Sequence, residues 1–139
     1  SFKATMLLYV LLALACGCSL VAEAKMQNVT VTGTTVCNKR ALGKVLVELW
    51  EHDSLDPNDL LATIHTGTQG EFSISGEEDE ITSIDPFIRI SHVCNLPQGK
   101  DNCKRVFELE VPKDKINNGV YDHTFIILDT MYKGEKLEC

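Results

Sequence analysis

Length, composition and charge restrict what the chain can be. Its 139 residues correspond to one domain. The net charge is −7, from 13 Lys and Arg against 20 Asp and Glu, whereas binding to nucleic acid requires a basic face. The same balance argues against attachment to an anionic membrane by charge alone, but it is compatible with recognition of a lipid or a protein through a local patch.

The N-terminus has the features of a secretory signal peptide. Lys3 precedes an apolar run over residues 6–15, and Ala22-Glu23-Ala24 has the small-x-small pattern of a cleavage site. The apolar run is shorter than the roughly 20 residues that a membrane-spanning helix needs. We therefore predict a signal peptide over residues 1–24, cleavage after Ala24, a secreted extracellular protein without a transmembrane segment, and one mature domain over residues 25–139.

Cysteines in the mature domain predict two disulfides. Cleavage would leave Cys37, Cys94, Cys103 and Cys139, and an even number in a small secreted domain is typical of a disulfide framework. Spacing alone leaves three connectivities open. A zinc site is not expected, because no pair has the C-x₂₋₄-C spacing.

Hydrophobic alternation predicts an all-β domain. Seven strands are expected over residues 29–35, 45–50, 60–66, 71–75, 86–93, 104–111 and 121–129, because apolar residues recur there with period two between turn-forming residues. Gly76–Glu80 is predicted to be a charged loop or a single helical turn, and the tail Thr130–Cys139 to be polar without a strand. Seven short strands at this spacing indicate a β-sandwich of two sheets.

Asn28 and the acidic loop after the second strand are candidate modification and metal sites. Asn28-Val29-Thr30 is the only N-glycosylation sequon, so Asn28 is either a glycan acceptor or an ordinary surface residue. Asp53, Asp56 and Asp59 suggest calcium, but their spacing is not that of a calcium-binding loop of the EF-hand type. We predict a solvated loop and no metal.

No residue pattern predicts catalysis or a cofactor. The four histidines lie in no recognised catalytic or metal-binding motif, and His92 shares a face with Ile88 and Ile90, which favours a hydrogen-bonded core histidine. Trp50 follows the inward Leu49 and therefore faces the opposite side of its strand. It is expected to pack under a neighbouring loop, with a binding anchor as the alternative.

Six stretches together resemble the nematode transthyretin-like family. They are Gly33-Thr34-Thr35-Val36-Cys37, the run Val45–Glu51, the run Asp56–Leu61, Gly70-Glu71-Phe72, the run Ile84–Asn95 and the terminal Cys139. The resemblance covers nearly the whole mature chain. It implies a transthyretin-like β-sandwich, secretion, and extracellular recognition, which for some members of the family includes anionic lipid at cell surfaces.

The implied fold suggests a disulfide pairing and a binding surface. If successive strands of the transthyretin-like sandwich run up and down, all four cysteines lie at one pole, and the pairs Cys37–Cys139 and Cys94–Cys103 are favoured. Basic residues would gather there, as a candidate surface for an anionic ligand or lipid headgroup: Lys39, Arg40, Lys100, Lys104 and Arg105.

Departures from the family's better-known relatives guide the functional prediction. Transthyretin builds its oligomers with an eighth strand, whereas residues 130–139 are short and polar here, which favours a monomer or weak dimer over a carrier with a central channel. Related hydroxyisourate hydrolases end in Tyr-Arg-Gly-Ser, whereas this chain ends Lys136-Leu137-Glu138-Cys139. We predict a non-enzymatic binding protein that recognises a lipid, a cell-surface partner or a small hydrophobic ligand. The oligomeric carrier and the hydrolase are the alternatives.

Overall fold

Nine β-strands and one short 3-10 helix form residues 24–139, which are the part of the chain described by the computed structural model. In chain order the strands are β1 (Lys25–Cys37), β2 (Arg40–Ala41), β3 (Leu46–Glu51), β4 (Asp59–His65), β5 (Glu71–Glu80), β6 (Pro86–His92), β7 (Lys104–Glu110), β8 (Tyr121–Ile127) and β9 (Lys136–Glu138). The predicted signal peptide lies outside the described residues except for Ala24, which directly precedes β1. Within this range no helix has the length and apolar character needed to cross a membrane.

The strands form two sheets, which confirms the predicted all-β sandwich. In the first sheet β1 pairs antiparallel with β5 and β2, and parallel with β8. The second sheet has the order β4-β3-β6-β7-β9 and is antiparallel throughout. The seven predicted strands correspond to β1 and to β3 through β8.

The core lies between the sheets and is built from residues at alternate strand positions, because residues two apart share a face of the sheet. Its fully buried members include Val29, Val31, Val47, Leu49, Ile74, Ile88, Ile90, Phe107 and Ile126. Two charged residues follow the same alternation. Glu51 continues the inward series of β3 and is 4% exposed, and Arg105 continues that of β7 and is 6% exposed.

Two segments predicted to lack strands do form them. Residues 76–80 are the second half of β5, because β1 begins at Lys25 and its first four residues pair with Glu80 through Glu77. Residues 136–138 form β9, which pairs with the first residues of β7. In both cases a distant partner strand supplies hydrogen bonds that local charge and polarity do not indicate.

The four cysteines lie at one end of the sandwich, but the predicted pairing is wrong. Cys37 is bonded to Cys94 and Cys103 to Cys139. The first disulfide crosses between the sheets, because β1 ends at Cys37 in one sheet and Cys94 follows β6 in the other. The second joins neighbours in one sheet, because the pairing of β9 with β7 carries Cys139 opposite Cys103. We call this end the cysteine pole. It comprises the turn at residues 38–39, the loop 93–103 and the tail 128–139.

Candidate functional site

Polar contacts hold the cysteine pole in addition to its disulfides. Asn38 and Lys39 form the two-residue turn between β1 and β2, and both have positive φ, 50° and 66°, as a tight hairpin turn of this kind requires. The amides of Asn38 and Asn95 exchange hydrogen bonds of 2.8 and 3.0 Å, and the Asn38 N–H donates to Asp129 at 3.0 Å. The turn is therefore fixed against both the loop and the tail.

Arg105, which we predicted to belong to the exposed basic surface, is instead buried beneath it. Its guanidinium donates to the Glu135 carboxylate at 3.0 to 3.2 Å, to the Cys94 carbonyl at 2.8 Å and to the Thr130 carbonyl at 2.9 Å. The Glu135 side chain is only 4% exposed. Arg105 thus joins the loop to the tail. Its alternation with Phe107 was the sequence signal for this inward position.

A shallow cavity of about 420 Å³ opens at the cysteine pole, above the Arg105–Glu135 ion pair. Its walls combine apolar and polar side chains: Asn95, Pro97, Asp129, Met131, Lys136 and Leu137. Met131 is 74% exposed and Leu137 40% exposed, so apolar surface faces solvent beside charged groups. Such a mixed, partly preformed concavity is suited to an amphipathic ligand.

Two of the predicted basic residues adjoin residues of the cavity wall. Lys39 follows Asn38, whose amide is bonded to the cavity residue Asn95, and Lys39 is exposed. Lys100 is also exposed, and its backbone N–H donates at 3.1 Å to the carbonyl of Pro97 in the cavity wall. Lys39 and Lys100 thus adjoin the cavity wall through these contacts, but neither residue lines the cavity itself.

Two further predicted basic residues, Arg40 and Lys104, lie on strands next to the cysteine pole and apart from the cavity. Arg40 is exposed on β2, where it pairs with Cys37. Lys104 is exposed on β7 opposite Glu138 of β9, and it lines a different concavity together with Arg89. The predicted surface of five basic residues is thus divided: two adjoin residues of the cavity wall, two lie apart from the cavity and one is buried.

His92 is the core histidine that the sequence predicted. It is 2% exposed, its ring lies edge-on to Phe107 with centroids 5.8 Å apart, and Nδ1 accepts the Cys94 N–H at 3.0 Å. Burial, assisted by the nearby charge of Arg105, lowers the pKa of His92 to about 4. His92 is therefore neutral at physiological pH and fixes the backbone next to the disulfide at Cys94.

Trp50 packs against a side chain of a neighbouring strand, and its packing under a loop stays a prediction. The Arg89 guanidinium lies 4.7 Å from the centroid of the Trp50 ring, and Arg89 also donates to Glu108 at 2.8 and 2.9 Å. A cation stacked on the ring and held by a carboxylate leaves Trp50 half-buried on the outer face of the second sheet.

The sequon residue Asn28 lies on β1 with an exposed side chain. Its backbone is anchored on both sides: the N–H donates to Asn117 Oδ1 and the carbonyl accepts the Asn117 N–H, each at 2.8 Å. An exposed side chain on an anchored backbone is compatible with a glycan, and glycosylation at Asn28 stays a prediction.

The opposite end of the sandwich gathers carboxylates that sequence reasoning did not connect. Glu51, Asp53, Asp59 and Glu80 each place an oxygen within 4.8 Å of the others, and we call these four residues the acidic cluster. Two of them, Asp53 and Asp59, belong to the loop that suggested calcium. Asp56 of that loop is not a member, and Glu51 and Glu80 take part instead. The inward alternation of Glu51 with Leu49 was the available signal.

Comparison with known proteins identifies relatives over most of the chain. The model of the Transthyretin-like family matches residues 32–112. Transthyretin-like protein 16 of Caenorhabditis elegans is 50% identical over 122 residues, which cover 88% of this chain and 90% of that protein. Transthyretin-like protein 5 of the same organism is 39% identical over 81% of this chain and 84% of its own.

Among solved structures, a 9R-lipoxygenase from Cyanothece has a similar fold. It aligns with a TM-score of 0.50 and 18% identity over 73% of this chain, but over only 16% of the lipoxygenase chain. At this identity the similarity concerns the fold alone.

Proposed function

The chain belongs to the transthyretin-like family, and we propose that it is a secreted, non-enzymatic protein that binds an amphipathic ligand with an anionic headgroup at its cysteine pole. The observation that carries the proposal is the cavity at that pole, where exposed Met131 and Leu137 share the wall with the exposed Lys136. The exposed Lys39 and Lys100 adjoin residues of this wall through Asn38 and Pro97. Lipid at a cell surface is the ligand source to which we commit.

Charge explains why a local patch is needed. With a net charge of −7 the protein as a whole is repelled by an anionic surface. A lysine near such a surface contributes about 1 kcal/mol, so Lys39 and Lys100 together contribute about 2 kcal/mol, or roughly 30-fold in affinity. The apolar wall at Met131 and Leu137 would add a contribution that does not depend on salt.

Co-sedimentation with liposomes tests the proposal. Oxidised protein is mixed, with a chelator present, with vesicles of phosphatidylserine and phosphatidylcholine or of phosphatidylcholine alone. We expect binding to the anionic vesicles only. The double variant Lys39→Ser with Lys100→Ser should lose roughly 30-fold in partition coefficient, from about 1 kcal/mol per lysine.

The matched control removes two lysines at the opposite end of the sandwich, Lys113→Ser with Lys115→Ser. This variant changes the net charge equally, so it should bind as the unmodified protein does. No binding to anionic vesicles, or equal losses in the two double variants, would contradict the proposal.

A second pair of variants tests the apolar wall. Met131→Ser at the cavity should weaken vesicle binding and leave its salt dependence unchanged, since it removes no charge. Leu55→Ser is the control, because Leu55 is 92% exposed at the other end of the sandwich. Equal binding by these two variants would remove the apolar wall from the proposed site.

The proposed site needs no second subunit, because its lining residues come from one chain, and we propose a monomer or weak dimer and not a carrier with a channel between subunits. The relatives described above carry the name transthyretin-like proteins and not that of an enzyme. Light scattering distinguishes the alternatives: a stable tetramer in solution would favour the carrier, whereas a monomer that binds vesicles favours the present proposal.

A further inference from the structure

The acidic cluster lies where the two sheets meet at the end opposite the cysteine pole. Glu51 ends β3 and pairs with Asp59 at the start of β4. Asp53 lies in the loop between these strands, two residues after Glu51. Glu80 ends β5 in the other sheet. The cluster therefore draws its carboxylates from both sheets and from the β3–β4 loop, which brings four formal negative charges to one place.

An independent observation concerns Glu51. The residue is only 4% exposed, so it is more than nine-tenths buried, and its Oε2 atom has no hydrogen-bond partner. Glu51 lines a cleft of about 380 Å³ together with Asp53 and Glu80. A buried carboxylate oxygen without a partner is costly, so its position needs a compensating group.

Protein cations do not supply that compensation within the described part of the chain. The ion pairs formed by residues 24–139 involve Glu108, Glu110 and Glu135, and none includes a carboxylate of the acidic cluster. Asp53 does accept backbone N–H groups of Leu55 and Asp56, at 3.0 and 3.3 Å. These bonds hold Asp53 in place but leave the charge of the cluster unbalanced.

We propose that the acidic cluster is a calcium-binding site, with Glu51, Asp53, Asp59 and Glu80 as its protein ligands. Calcium takes oxygen ligands at about 2.3–2.6 Å, so ligands on opposite sides of the ion are separated by about 5 Å. The four oxygens lie within 4.8 Å of one another, which one ion can span. Four hard carboxylates and no nitrogen or sulfur ligand favour calcium over zinc.

The electrostatics of Glu51 agree with this assignment. Burial, reinforced by the charges of Glu80, Glu78, Asp53 and Asp59, raises the pKa of Glu51 to about 7. The neighbouring negative charges that help to raise this pKa are the charges that a bound divalent cation would neutralise. The alternative is a proton shared within the cluster, which the experiment below distinguishes from calcium.

Calcium would connect the two sheets at this end, as the Cys37–Cys94 disulfide connects them at the other. Glu51 and Asp59 belong to one sheet and Glu80 to the other, so an ion bound by all of them bridges the sandwich. The inference extends beyond the proposed ligand binding, since it concerns the opposite end of the molecule.

Calorimetric titration of calcium chloride into the oxidised, chelator-treated protein tests the site. We expect one ion per chain with a dissociation constant of about 10⁻⁴–10⁻³ M, the range of extracellular calcium modules. Glu51→Gln and Glu80→Gln should each weaken binding at least about tenfold, since each removes one charged ligand. Magnesium should bind more weakly, because it requires a tighter octahedral shell.

The control is Glu77→Gln, on the same strand as Glu80. Glu77 is exposed and lies on the opposite face of β5 from Glu78 and Glu80, which point inward. The Glu77→Gln variant should therefore bind calcium as the unmodified protein does. No saturable binding up to about 10 mM calcium, above the extracellular-module range, would overturn the proposal. So would equal binding by Glu51→Gln and Glu77→Gln.

Thermal unfolding gives a second readout. Calcium should raise the melting temperature of the unmodified protein and of Glu77→Gln, but not that of Glu51→Gln. Without calcium Glu51→Gln should fold and be at least as stable as the unmodified protein, because it removes a repelled charge. A calcium-independent melting temperature in the unmodified protein would favour a shared proton over a metal site. An equal calcium effect in Glu51→Gln would show that calcium binds outside the acidic cluster, and either result would overturn the proposal.

Discussion

Protonation of His92 should destabilise the protein in mild acid. His92 lies on the inner face of β6, opposite Arg105 of β7. Arg105 in turn forms an ion pair with Glu135 of the tail. An imidazolium there would face the Arg105 guanidinium and could no longer accept the Cys94 N–H. The cost of protonation thus arises from burial first and from Arg105 second.

The pKa of His92 gives the magnitude and the sign. It falls from 6.5 to about 4 on folding, so between these values the unfolded chain binds a proton that the folded chain does not. Stability is therefore fully present above about pH 6.5 and falls as the pH is lowered towards 4. From about pH 7.5 to about pH 4 the loss is about 3 kcal/mol.

Urea unfolding measured through Trp50 fluorescence, over this pH range, checks the prediction. The reference variant is His92→Asn, whose amide oxygen can still accept the Cys94 N–H but does not titrate. The difference in unfolding free energy between the two proteins should shrink by about 3 kcal/mol on acidification, as the pKa shift requires. Parallel pH profiles would show that His92 titrates alike in the folded and unfolded states, so that burial beside Arg105 does not lower its pKa.

Three further changes test the cysteine pole and its neighbouring turn. Replacing Cys103 and Cys139 by Ala should lower the unfolding free energy by about 4 kcal/mol, from the loop-entropy relation for a separation of 36 residues, in a urea titration under non-reducing conditions. Arg105→Met leaves the buried Glu135 unpaired and should cost about 3–5 kcal/mol, most of which Glu135→Leu should restore in the double variant; equal losses in both would contradict the buried-charge explanation. Gly70→Ala should cost roughly 1–3 kcal/mol in thermal unfolding, since φ is +76° and the added Cβ would approach the backbone closely, and an unchanged melting temperature would oppose this.

Local alternation was sufficient to predict the strands and most of the core. Val47 and Leu49 alternate with polar or half-buried neighbours, and the structure buries both completely. The same period placed His92 inward with Ile90, as observed. These features follow from the sequence by itself because side-chain direction in a strand depends on position parity, which is a local property of the backbone.

The alternation of side chains along the strands also predicts inward positions for two charged residues. Arg105 and Glu51 occupy inward positions of β7 and β3, although Arg105 was predicted to lie on an exposed basic surface. Both are buried, one with a charged partner and one within the acidic cluster. The period-two pattern was the better guide at these positions, because the strand geometry is set by the many apolar residues around them.

The contacts between residues that are distant along the chain depend on how the strands pair. The pairing of Cys103 with Cys139 depends on β9 adding to the edge of β7, and the extension of β5 to Glu80 depends on β1 beginning at Lys25. Neither partner lies within the local window from which strand patterns are read. Local sequence pattern was enough for seven of the nine strands formed by residues 24–139, for most of their inward faces and for the family resemblance. Strand pairing across tens of residues determined the disulfides, the cavity and the acidic cluster, because such contacts are selected by the summed packing of both sheets.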